Sequence, residues 1–145
     1  MKITIRTTVE SDYRQVWAGF TRDLFDALSP PFPPVRVVRF DGCLRGDVVH
    51  LELNFLFFRQ NWISQIIDQQ ELPDEIFFID QGTRLPFFLS YWHHKHRIIR
   101  KGKGTVIADE IHFRTPSRLT DFLLYPLMYA QFAYRIPIYR KYFRK

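Results

Sequence analysis

The last stretch of the chain, Ser117 to Lys145, limits what the rest can fold into. It reads SRLTDFLLYPLMYAQFAYRIPIYRKYFRK. Leu119, Phe122, Leu123, Leu127, Ala130 and Tyr134 recur at helical spacing and form one face. Leu124, Tyr125, Met128, Tyr129 and Phe132 fall off that stripe, so the segment is apolar nearly all round. A helix of this kind needs cover on more than one side. One side is expected to lie on a sheet. The other calls for a neighbouring element, another chain, a membrane or a bound apolar molecule. Ser117, directly after Pro116, stands where a capping hydroxyl belongs. Pro126 and Pro137 each remove a backbone donor, at a cost of roughly 3 kcal/mol inside a helix. They predict a kink near Pro126 and a break or second kink between Arg135 and Pro137.

The preceding residues supply the sheet. Lys2 to Val9 alternates as a strand does. Ser11 and Thr21 are read as caps of two short helices, one carrying Val16, Trp17 and Phe20, the other Leu24, Phe25 and Leu28. The proline-rich run Ser29 to Pro34 ends the second helix and makes a stiff, extended connection. Strand patterns then cover 35–40, 46–57, 61–70, 75–80, 87–99 and 105–114, parted by turn signals such as Asp41-Gly42 and Pro73-Asp74. Consecutive strands with short connections favour an antiparallel sheet. The expected fold is α+β: a strand, two short helices, six more strands and a long final helix.

At 145 residues the chain is expected to be one domain, long enough for a sizeable core. Aromatic residues make up 17% of it, with 15 Phe, enough to fill a core and line a cavity as well. No apolar run approaches the roughly 18 residues of a membrane span. Met1-Lys2-Ile3-Thr4 does not open a signal peptide. Cys43 is the single cysteine, which excludes an intrachain disulfide and suits a reducing cytoplasm. It reads as a small packed residue rather than a nucleophile.

The net charge of +6 is local. Lys95, Arg97, Arg100, Lys101 and Lys103 form one acid-free cluster, and Arg135, Arg140, Lys141, Arg144 and Lys145 form another. Without those ten, the remaining basic groups are outnumbered by the 15 acidic ones. A strand of about 30 Å followed by a helix of about 27 Å brings the tip residues Lys101 and Lys103 near Arg140, Lys141, Arg144 and Lys145. Beside Tyr139, Tyr142 and Phe143, such a basic pole would suit anionic lipid head groups. It would attract nucleic acid less specifically, and a solvated tip and tail is the plain alternative.

Val9-Glu10-Ser11 leading to Val16-Trp17, and Thr105 to Phe113 followed by Pro116, resemble the first and last strand junctions of the START-like superfamily. That group includes the Bet v 1 allergens, START lipid-transfer domains, polyketide cyclases and coenzyme Q-binding proteins. More narrowly, the chain resembles small bacterial SRPBCC ligand-binding proteins, over nearly its whole length. The resemblance implies a helix-grip fold: a curved seven-stranded antiparallel sheet around the C-terminal helix, with an internal cavity between them. It implies a hydrophobic small molecule or lipid as partner; some members are cyclases or dehydratases. Pro126 and Pro137 depart from an unbroken final helix.

The most unusual stretch is Trp92-His93-His94-Lys95-His96. On a strand, Trp92, His94 and His96 share one face. If the hairpin after this stretch is symmetric about Gly102, His94 lies opposite Glu110 and Trp92 opposite His112. His94, His96, Glu110 and His112 would then cluster as polar anchors in a cavity, as a base with its orienter, or as metal ligands. A solvated outer face of the sheet is the alternative. Phe55, Trp62, Trp92, Phe122 and Tyr129 are the expected apolar lining. No catalytic residue, resident metal or cofactor is assigned, because nucleophile-elbow, phosphate-loop, dinucleotide and zincin motifs are all missing. The oligomeric state stays open.

Overall fold

The computed structural model describes residues 1–145. Strand β1 (Lys2–Val9) leads into helices α1 (Tyr13–Ala18) and α2 (Arg22–Ala27). Strands β2 (Val35–Phe40), β3 (Val48–Asn54), β4 (Arg59–Leu72), β5 (Glu75–Arg84), β6 (Tyr91–Lys101) and β7 (Gly104–Arg114) come next. Helices α3 (Arg118–Ala133) and α4 (Arg135–Tyr142) end the chain. All neighbours pair antiparallel in the order β1-β7-β6-β5-β4-β3-β2. Register shifts at Val37/Arg39, Ile63/Ser64 and Ile66/Asp68 bend the sheet where it curves over the helices. No helix is long and apolar enough to cross a membrane.

Alternation sets the inner face. In β1, Ile3, Ile5, Thr7 and Val9 are buried while the residues between them are exposed. In β7 the inward set is Thr105, Ile107, Asp109, Ile111 and Phe113, with Ala108 also buried. Two clusters build the core. Val16, Phe20 and Leu24 of the short helices pack with Phe78, Ile98, Ile107, Tyr139 and Phe143. Met128 and Phe132 pack with Ile3, Ile5, Trp92, Ile111 and Phe113.

The final segment breaks once. Helix α3 runs through Pro126 and stops at Tyr134, and α4 begins at Arg135. Pro137 thus falls in the first turn of α4, where a missing N–H has no helical partner to lose. Pro126 and Phe122, whose carbonyl that proline leaves unbonded, are both exposed, so water can satisfy the carbonyl. Ser117 caps α3 as expected, accepting from the Thr120 N–H at 3.2 Å.

The inward face of α3 differs from the expected one. Leu119, Phe122, Leu123, Leu127 and Tyr134 are exposed, with Phe122 at 73%, whereas Met128 and Phe132 are buried. Periodicity finds a face, but on a helix apolar all round it does not say which face turns inward. The ring of Phe132 stacks 5.7 Å from Trp92, and that contact sets the rotation.

Asp12, not Ser11, caps α1, accepting from Arg14 and Gln15. Thr21 occupies the N-cap of α2 without a side-chain bond. Ser11 instead ties distant parts together: its hydroxyl and N–H both donate to the Phe143 carbonyl, and its own carbonyl accepts from Thr105 Oγ1 at 2.7 Å. The β6–β7 hairpin and the end of α4 therefore meet at one pole, bringing Lys101 and Lys103 to the end of the molecule that holds Arg144 and Lys145. Its aromatic part differs from expectation. Tyr139 and Phe143 are buried in the first core cluster, and only Tyr142 is exposed.

Candidate ligand-binding cavity

The β6–β7 turn decides which polar side chains face inward. Lys101 pairs with Gly104, so Gly102 and Lys103 make a two-residue turn with Gly102 at φ 58. The symmetry axis lies half a residue beyond Gly102, and the partners slip by one: Lys95 faces Glu110, His93 faces His112 and His96 faces Asp109. A one-residue slip moves a side chain to the other side of a sheet. Glu110 and His112 are therefore not cavity residues. Glu110 accepts from Arg97 at 3.2 Å on the outer face, beside Glu75. His112 lies against the ring of Tyr91, 5.2 Å away. Phe122 and Tyr129 are exposed on α3 and also stand outside the cavity.

On the inner face, His94 and His96 lie between two carboxylates. Asp80 of β5 is the cross-strand partner of His94. Its Oδ2 takes a 2.5 Å hydrogen bond from His96 Nε2, and its Oδ1 accepts from Trp92 Nε1–H at 3.0 Å. A carboxylate only accepts, so His96 carries its proton on Nε2. His94 Nε2 bonds Asp109 Oδ1 at 2.8 Å. The imidazoles stack with centroids 3.5 Å apart, and Phe78 covers His96 at 4.1 Å. Arg135, at the start of α4, places Nη1 3.9 Å from Asp109 Oδ1 and its guanidinium carbon over the Phe132 ring.

Burial governs the protonation of this cluster. It pushes His96 down to about 4, helped by neighbouring His94 and opposed by Asp80. Neutral His96 then presents Nδ1 as an acceptor, and that atom has no partner in the protein. Burial works against ionising Asp80 and Asp109, yet both sit below the ordinary carboxylate range. Burial is the largest single influence on each. The bonds from His96 and Trp92 and the neighbouring imidazoles together outweigh it for Asp80. The His94 bond, Arg135 and the imidazoles together do so for Asp109. Burial pushes the Cys43 thiol up, which leaves it a protonated, packed group.

These residues form one wall of a cavity of about 430 Å³, within the range of small-molecule sites. Phe25, Leu28, Phe55, Trp62, Phe78, Phe88, Trp92, Met128 and Phe132 provide apolar lining. Ser29, Ser64, Asp80, His94, His96, Gln131 and Arg135 are the polar contributors. Gln131 Oε1 and Arg135 Nη1, like His96 Nδ1, are buried without a hydrogen-bond partner. One donor each from Asp80, His94 and His96 lies within 4.8 Å of the others, a donor set of the kind divalent ions accept. Here those donors are engaged with one another and with Asp109.

Sequence reasoning missed Asp80, Asp109, Gln131 and Arg135. For Asp109 the signal was present: it shares the alternation of Ile107, Ile111 and Phe113, so an acid was written into a buried row.

Fold and cavity together give the helix-grip fold: a curved antiparallel sheet, a C-terminal helical segment across it, and a hollow between. The solved structures it resembles include an aromatase/cyclase and a synthase. The Zhui aromatase/cyclase from Streptomyces sp. R1128 superposes with a TM-score of 0.67 at 13% identity, over 96% of this chain and 90% of that one. Norcoclaurine synthase from Thalictrum flavum, in complex with dopamine and hydroxybenzaldehyde, gives 0.65 at 15% identity, over 94% and 83%. Ara h 8.0201 gives 0.59 at 14% identity, over 96% and 97%. No protein-family model matches the sequence, and no curated protein matches it.

Proposed function

We propose that this protein binds a small molecule with an apolar body and one polar end that both donates and accepts hydrogen bonds, such as an alcohol or phenol: His96 Nδ1 and Gln131 Oε1 accept, and Arg135 Nη1 donates. The apolar walls would supply the affinity, and Arg135, Gln131 and His96 would orient the polar end. The observation that carries this reading is the set of buried, unpartnered polar atoms beside an apolar hollow. Displacement of a hydrophobic fluorophore by phenols and aliphatic alcohols, set against the matching hydrocarbons, tests it. Saturable displacement that favours the hydroxyl compounds and weakens in Arg135→Met is expected. No saturable displacement by any compound overturns it.

Acid–base catalysis in the same cavity is the second reading. One feature favours it: a buried neutral His96 oriented by Asp80, the arrangement of a general base with its partner. Bound compounds recovered chemically altered, and unaltered from His96→Gln, would replace the first reading with this one.

A further inference from the structure

At the pole opposite the basic hairpin tip, four segments expose large apolar side chains together. Leu56 and Phe57 cap the β3–β4 turn at 82% and 96% exposure, and Phe87 in the β5–β6 connection reaches 65%. Phe32, before β2, and Leu123 and Leu127 on α3 are exposed as well. The segments touch: Phe32 meets Phe55, Phe55 stacks on Phe58, and Phe58 meets Phe87. Leu56 holds a positive φ of 67, unfavourable for a branched side chain, and no interior packing compensates it. The surface is also continuous with the cavity. Phe32 and Leu127 line the hollow while exposed, and Phe88, Leu124 and Leu127 line both the hollow and the groove beside Phe87.

Basic groups outnumber acidic ones around this rim. Lys2, Arg36, Arg59, Arg84, Arg114 and Arg118 lie at this end of the strands and at the start of α3. The acids there are engaged: Glu52 pairs with Arg36 and Arg59, and Asp121 accepts from the Thr115 N–H. A symmetric pairing of two copies through this face would set the same arginines against each other. Anionic lipid heads complement them, and separate protruding tips suit insertion between lipids better than a flat contact.

We propose that this rim docks on an anionic membrane surface, with Leu56, Phe57 and Phe87 seated at the acyl boundary and the arginines on the head groups. The mouth of the hollow then faces the lipid. This assigns membrane contact to the pole opposite the one expected from sequence, where Tyr139 and Phe143 are buried. Docking does not depend on what the cavity holds.

Flotation of the full chain with phosphatidylcholine vesicles, with and without phosphatidylglycerol, tests the proposal. Binding that requires phosphatidylglycerol and weakens with salt is expected. The double variant Leu56→Ser/Phe57→Ser should lose at least about tenfold in vesicle affinity, and Arg84→Gln/Arg118→Gln a similar factor. Lys101→Gln/Lys103→Gln, at the other pole, should stay within about twofold. All four positions of the first two variants are exposed, and an unchanged melting transition confirms that the variants fold. The proposal is overturned by no flotation with either vesicle, or by tip variants that float like the parent. It is also overturned by sedimentation showing a dimer that the tip variant separates, which would give the face to a second copy.

Discussion

His96 is a buried base kept uncharged, and that makes it a source of acid sensitivity. Its folded-state value of about 4 lies below the ordinary 6.5. On acidification the unfolded chain takes up the proton first. The stability contributed by the neutral ring is therefore complete above pH 6.5 and is lost as pH falls toward 4, by up to about 3 kcal/mol. Asp80 and Asp109, both depressed, extend the loss to lower pH. Urea unfolding at pH 7.5, 6, 5 and 4 should show a midpoint that falls through this window. His96→Gln should flatten the upper part of that slope, since the carboxylates titrate lower; an unchanged slope would place the acid response elsewhere. Nearby, Trp92 holds Asp80 through its indole N–H. Trp92→Phe leaves that oxygen short of a donor and should cost about 1–3 kcal/mol in the same unfolding measurement.

At the level of elements, the two prolines of the last segment differ in consequence. Pro137 stands in a first turn, so Pro137→Ala should change stability by less than about 0.5 kcal/mol. Pro126 interrupts the interior of α3, so Pro126→Ala restores a helical donor and should raise the thermal midpoint, by about 1–3 kcal/mol equivalent. Calorimetry on both variants separates them, and equal effects would contradict the limits of α3 and α4. The same elements show what was legible in the residues. Alternation located β1, turn signals parted the later strands, and Ser117 marked the start of α3, whereas the start of α1 was misread because Asp12, not Ser11, supplies the cap. Two things were hidden. The β6–β7 register turned on a two-residue turn with glycine first, a hairpin preference that Gly102-Lys103 does carry. Counting symmetrically about Gly102 missed it, and that exchanged Asp109 for Glu110. The rotation of α3 was not written locally at all. It depends on Trp92 and Phe132 meeting across about forty residues, where no periodicity reports.

Across the whole molecule, the hollow draws walls from both packed clusters, so filling it should separate binding from stability. Ser64 is buried in β4 and lines the cavity. Ser64→Leu should abolish small-molecule displacement while the melting temperature holds or rises, because the added carbons enter existing space. A variant that unfolds would mean the space is too small to accept even this side chain. The two poles then divide the labour in the proposed scheme. One end is closed by the bonds around Ser11, and the other carries the exposed rings and the mouth.

The chain ends also lie far apart. The Met1 amine donates to the Phe113 carbonyl at the open end, whereas Lys145 reaches Glu10 at the closed one. A stretching force applied between the termini would thus run along β1 and slide it past β7, loading the whole ladder from Lys2↔His112 to Val9↔Thr105 at once. Under tension the domain should yield abruptly, in one event at high load, rather than unzip rung by rung.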